Sequence, residues 1–101
     1  MALVKISGED IPVSTSAIGP TASLLTSRVL MGIFWLKSGG KIHHNVGTTP
    51  TAAGVTGDLG ENLDNKWEIW GLDNLRTFTM ILRTGELAAV VPAQYWGERS
   101  G

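Results

Sequence analysis

Residues able to do chemistry are sparse in this 101-residue chain. Its two histidines, His43 and His44, are neighbours in a stretch that reads as a strand, Lys41 to Val46. Successive strand side chains point to opposite faces, so the pair does not grip one metal ion within the chain. His44 runs in phase with Ile42 and Val46 and is expected to be partly buried. His43 runs in phase with Lys41 and Asn45 and is expected at the surface. A metal or anion site here would need symmetry-related chains to contribute one histidine each. The acids Asp58, Glu61, Asp64 and Glu68 form the densest carboxylate group, but their spacing is not that of a calcium-binding loop, and a solvated loop is the expectation. Nothing in their spacing fixes the carboxylate separation that glycoside cleavage needs. No Gly-x-Ser-x-Gly elbow, phosphate-cradling glycine fingerprint or cysteine occurs. The reading is a chain without catalytic residues, bound metal or cofactor.

The aromatic residues carry more information. There are four tryptophans, and Trp67 and Trp70 lie three apart in one short strand, so they face opposite sides. Trp67 is in phase with Ile69 and is expected in the core, which leaves Trp70 outward beside Lys66 and Glu68. Tyr95 and Trp96 follow Pro92 near the C-terminus and read as an anchor laid on the body or on a neighbour. Large aromatics are enriched at the centres of subunit contacts, and an exposed indole is also a platform for a sugar ring.

The elements that must position these side chains are strands. Twenty-four residues are Val, Ile or Thr, thirteen are Gly, and uninterrupted windows for helix are few. Strands are expected at about Leu3 to Ile6, Ile11 to Thr15, Ser27 to Lys37, Lys41 to Val46, Lys66 to Trp70, Leu75 to Arg83 and Glu86 to Val91. Turns are expected at Ser7-Gly8, Gly39-Gly40, Gly71 to Asn74 and Thr84-Gly85, and hairpins across Lys37 to Lys41 and Arg83 to Glu86. Alternation in Leu75 to Arg83 places Phe78, Met80 and Leu82 in the core, together with Ile33, Trp35, Trp67 and Ile69. Val29 to Leu36 is apolar without alternation and reads as a central strand covered on both faces, the outer cover being a loop or a neighbouring chain. Ser38 to Asn65 reads as a long loop holding the Lys41 to Val46 strand and a short one near Val55; such a loop is usually functional or ordered by a partner.

Length and composition set the outer bounds. One domain is expected, an all-β antiparallel β-sandwich or jelly-roll-like unit over residues 1–101. A net charge of -1 without Lys/Arg clusters excludes a nucleic-acid or basic membrane-surface binder. The longest apolar run, eight residues, is too short to span a bilayer. Met1 to Ile6 reaches Ser7 and Gly8 before a signal-peptide core can form, so no cleaved signal is expected. Without disulfides, so small a domain gains stability by assembly.

Three stretches, Ile11 to Ser23, Thr49 to Gly54 and Trp67 to Ile81, resemble in composition and cadence the small β-rich structural proteins of tailed bacteriophages, the capsid decoration and head- or tail-associated class. That resemblance implies a virion subunit that self-associates, often as a trimer, and docks on capsid or tail proteins. The contact is expected to use Trp70, Tyr95, Trp96, Ile33 and Trp35. The alternative is a small carbohydrate-binding module in which Trp70 or Trp96 lies in an open, flat groove among polar neighbours.

Overall fold

The computed structural model describes residues 3–53, 58–60 and 66–98, the side chains of 58–60 excepted. Seven strands are described among them: β1 (Leu3–Val13), β2 (Val29–Trp35), β3 (Ile42–Val46), β4 (Asp58–Gly60), β5 (Lys66–Trp70), β6 (Phe78–Leu82) and β7 (Ala89–Glu98). A 3-10 turn over Ala22–Leu24 precedes β2, and a five-residue helix, α1 (Leu72–Arg76), joins β5 to β6. All ladders are antiparallel. They form a four-stranded sheet in the order β1-β7-β2-β5 and a three-stranded sheet in the order β4-β3-β6. The class is all-β and the arrangement sandwich-like.

The core lies between the sheets. Period-two alternation sends Ile11 and Val13 of β1, Phe34 of β2, and Val91, Ala93 and Tyr95 of β7 inward from one sheet. It sends Ile42 of β3 and Phe78, Met80 and Leu82 of β6 inward from the other. Phe34 meets Phe78 across the gap with ring centroids 4.7 Å apart, and the His44 imidazole stacks on the Trp67 indole at 4.7 Å and 3°. Trp67 and Ile69 are partly buried against this cluster, on the side expected.

Several expectations need correction. Ser7-Gly8 is not a turn: β1 runs through it, absorbing the irregularity as a register shift between Lys5 and Ser7. Neither glycine-bearing connection makes a hairpin. Lys37 to Lys41 carries the chain from β2 in one sheet to β3 in the other, and Arg83 to Glu86 carries it from β6 to β7. A short Gly-rich link fits a crossing between packed sheets as well as a hairpin, and sequence spacing does not separate the two. The β6 strand begins at Phe78, because Gly71, at φ +95°, starts α1 instead, and Leu75 is buried in the core from that helix. Gly32 leaves room beside this helix: a Cβ there would stand 2.9 Å from the Leu75 Cδ2, which would have to shift. Ile33 and Trp35 are not in the core. They point from β2 to the opposite face and are half-buried. His43 is buried at 7% exposure, not at the surface, whereas His44 is half-buried as expected. The short strand expected near Val55 falls outside the described residues; the strand described beyond it is β4, Asp58–Gly60.

The two faces of β2 give a direct test. Phe78→Ala removes the ring that meets Phe34 and is expected to cost about 3–5 kcal/mol, since lost transfer energy and the residual cavity add. Ile33→Ala, on the outer face, is expected to cost no more than about 1 kcal/mol. Urea midpoints of the two variants against the parent check both.

Candidate functional site

The outer face of the four-stranded sheet gathers three of the four tryptophans, Trp35, Trp70 and Trp96. Residues directly opposite in an antiparallel ladder share a face, so the registers arrange this surface in rows. One row runs Lys5, Trp96, Met31, Trp70 across β1, β7, β2 and β5. The next runs Gly8, Gln94, Ile33, Glu68. In the third, Asp10 stands opposite Pro92 and Trp35 opposite Lys66. The β2–β7 ladder ends one step short of this row, at Phe34 and Ala93, and contact resumes at the Ser38–Val90 bridge. The gap coincides with Pro92, which has no N–H to donate.

The middle of the face is apolar and its edges are charged. Met31, Ile33, Trp35, Pro92 and Trp96 occupy the two central strands, and none of them belongs to the core cluster. Met31, flanked by Trp96 and Trp70, is only 3% exposed. Trp70 is 52% exposed, its indole N–H donating to the Glu68 carboxylate at 3.2 Å. The Lys66 ammonium lies 5.5 Å from the Trp35 ring centroid, in cation–π range. The Trp96 indole nitrogen is buried without a hydrogen-bond partner. Beside Trp35 the surface sinks into a depression of about 330 Å³ lined by Lys5, Gly8, Glu9, Asp10, Pro92, Ala93 and Gln94. One lysine and one acid stand at each edge of the face, Lys5 and Asp10 on β1, Lys66 and Glu68 on β5.

Of the five residues expected to form a contact surface, the fold brings four together here: Ile33, Trp35, Trp70 and Trp96. Tyr95 is the exception. It alternates with Trp96 on β7, so it points into the core and has no exposed surface. Its hydroxyl donates to Glu9 Oε2 at 2.6 Å, and the same carboxylate accepts from the Thr21 hydroxyl at 2.6 Å and the Thr21 N–H at 3.0 Å. The C-terminal segment is thus a central strand, not an anchor laid on the body. Lys5, Asp10, Met31, Pro92 and Gln94 were missed. The alternation of Val91, Ala93 and Tyr95 was the signal for β7, obscured by a proline that reads as a strand breaker.

The polar candidates do not converge. His43 and His44 sit on opposite faces of β3, the Asp58 side chain is outside the described set, as are Glu61 and Asp64, and Glu68 stands on the sheet face with Trp70. Among the described residues no three of His, Cys, Asp and Glu are grouped to hold a metal, and no helix is long and apolar enough to cross a membrane. Compared with protein-family models, curated proteins and solved structures, the chain matches none.

Burial, then the hydrogen bond to Glu9 and its negative charge, push the Tyr95 phenol far above its usual range. The folded state therefore holds its proton where the unfolded chain releases it. The resulting stabilisation is fully present below pH 10 and is lost as pH rises above that value, by about 1.4 kcal/mol per pH unit for one proton. Tyr95 is the only tyrosine, so Tyr95→Phe is expected to flatten this decline, as measured by urea unfolding between pH 9 and 11.

Proposed function

We propose that this chain is a non-enzymatic structural subunit that self-associates through the outer face of the β1-β7-β2-β5 sheet, in the role of a capsid decoration or head- or tail-associated protein of a bacteriophage virion. The observation that carries the self-association is the contiguous apolar centre of that face, Met31, Ile33, Trp35, Pro92 and Trp96, continued by exposed Trp70. Trp70 is 52% exposed, and Ile33, Trp35 and Trp96 are half-buried, so each keeps apolar surface open to water. A second surface laid over them gains roughly 25 cal/mol for each Å² of apolar area covered. The virion setting rests on the resemblance of Ile11 to Ser23, Thr49 to Gly54 and Trp67 to Ile81 to phage structural proteins, and capsid or tail proteins are the partners it implies.

A second reading has its own observation. The depression beside Trp35 offers an indole wall together with Lys5, Asp10 and Gln94, the combination of stacking surface and hydrogen-bonding groups that holds a sugar ring. A carbohydrate-binding module would quench or shift the Trp35 fluorescence on titration with soluble oligosaccharides, and Trp35→Ala would abolish that response.

Self-association is tested by sedimentation of the parent and of Trp70→Lys from about 10 µM to about 1 mM. The parent's mass is expected to rise with concentration, and Trp70→Lys to remain monomeric with an unchanged far-ultraviolet circular dichroism spectrum. A parent that stays monomeric throughout contradicts the assembly reading.

A further inference from the structure

The three rows carry a pattern that says how two copies would meet. On the reading that this face self-associates, we propose that its partner is the same face of a second copy, docked about a two-fold axis that lies between the sheets, parallel to the strands, over the β7–β2 boundary. Such an axis reverses each row onto itself. Asp10 of one copy then faces Lys66 of the other, and Pro92 faces Trp35. In the first row, Lys5 faces the second copy's Trp70, whose indole carries the Glu68 carboxylate beside it, and Trp96 faces Met31. In the middle row, Gln94 faces Ile33 and Glu68 faces Gly8, so no like charges meet.

The other in-plane two-fold, perpendicular to the strands, keeps each strand opposite its own copy. It pairs Lys5 with Asp10 but places Glu68 against Glu68 in the middle row. Like charges brought together at an interface cost several kcal/mol, which favours the first axis. Packed sheets also rotate by about 30° through their twist. That rotation leaves the central apolar residues in contact and moves the edges by a few Å, within the reach of the lysine side chains. A face that complements itself makes an isologous pair. A closed three-fold ring would need two different surfaces, so the trimer implied by the phage resemblance would have to use other parts of the chain.

The size of the face sets the strength. Four strands about 4.8 Å apart and three rows about 6.8 Å apart give roughly 400 Å² of flat area per copy. Stable complexes bury about 800 Å² per partner, so the pair is weak and concentration-dependent. Weak contacts of this kind become strong when many act together in one assembly.

Charge exchange tests the axis. Sedimentation equilibrium from about 10 µM to about 1 mM would compare the parent with Asp10→Lys, Asp10→Lys/Lys66→Asp and Asp10→Lys/Lys5→Asp, with circular dichroism as the folding control. The parent is expected to fit a monomer–dimer equilibrium. Asp10→Lys is expected to weaken it at least about tenfold, Asp10→Lys/Lys66→Asp to restore it, and Asp10→Lys/Lys5→Asp to leave it weak. Rescue by Lys5→Asp instead, no effect of Asp10→Lys, or a parent that forms trimers overturns the proposed pairing while leaving self-association standing. A parent that is monomeric throughout the series overturns the self-association reading and the pairing with it.

Discussion

The placement of the C-terminal strand between β1 and β2 governs the rest of the molecule. β1 and β2 have no ladder with each other; each is held by β7, whose inward side chains, Ala89, Val91, Ala93 and Tyr95, are buried in the core. The strand is fastened at one point by a bond that reaches across the chain, from the Tyr95 hydroxyl to Glu9, 86 positions away. The half-buried Glu9 carboxylate accepts three hydrogen bonds, from the Tyr95 hydroxyl and from the Thr21 hydroxyl and N–H. Until β7 docks, the four-stranded sheet does not exist and the outer rows have no second member. Long-range closure of this kind places the chain among slowly folding β topologies.

The same sheet divides the aromatic residues between two faces. Phe34, Phe78 and Tyr95 fill the space between the sheets, with Phe34 touching both of the others. Trp35, Trp70 and Trp96 lie on the far side, where no second layer is described. Two lysines and two acids border that outer face, one pair on each edge strand. Such a border gives little affinity. In the proposed pair it would set direction and register, because opposite charges must be aligned before the apolar centre can close.

Much of the fold could be read from the residue pattern, and the failures share a cause. β5 was legible to the residue because Lys66 to Trp70 alternates cleanly, and that alternation correctly separated Trp67 from Trp70. Phe78, Met80 and Leu82 were legible for the same reason. β2 was recognised as central from its unbroken apolar run, but that run has no period, so nothing in it told which side met the other sheet. Ile33 and Trp35 were assigned inward and lie outward. Pro92 hid a central strand, and with it the burial of Tyr95. His43 took a buried position although its strand neighbours Lys41 and Asn45 are polar. The links at Gly39-Gly40 and Gly85 carry the turn chemistry of hairpins, yet sheet assignment depends on which faces pack, a property of the whole chain. Of the five residues expected at a contact, Ile33, Trp35, Trp70 and Trp96 share one face of the sheet, and Tyr95 lies in the core.

In the proposed assembly the tryptophans divide into one that serves the core and three that serve a contact surface. Incorporating 5-fluorotryptophan gives four resonances, assignable by single Trp→Phe substitutions, and a dilution series from about 1 mM to about 10 µM reads each one separately. The Trp35, Trp70 and Trp96 signals are expected to shift together with concentration along one binding curve, while Trp67, stacked on His44 inside the sandwich, stays fixed. Four concentration-independent signals, or a Trp67 shift as large as the others, would contradict this division.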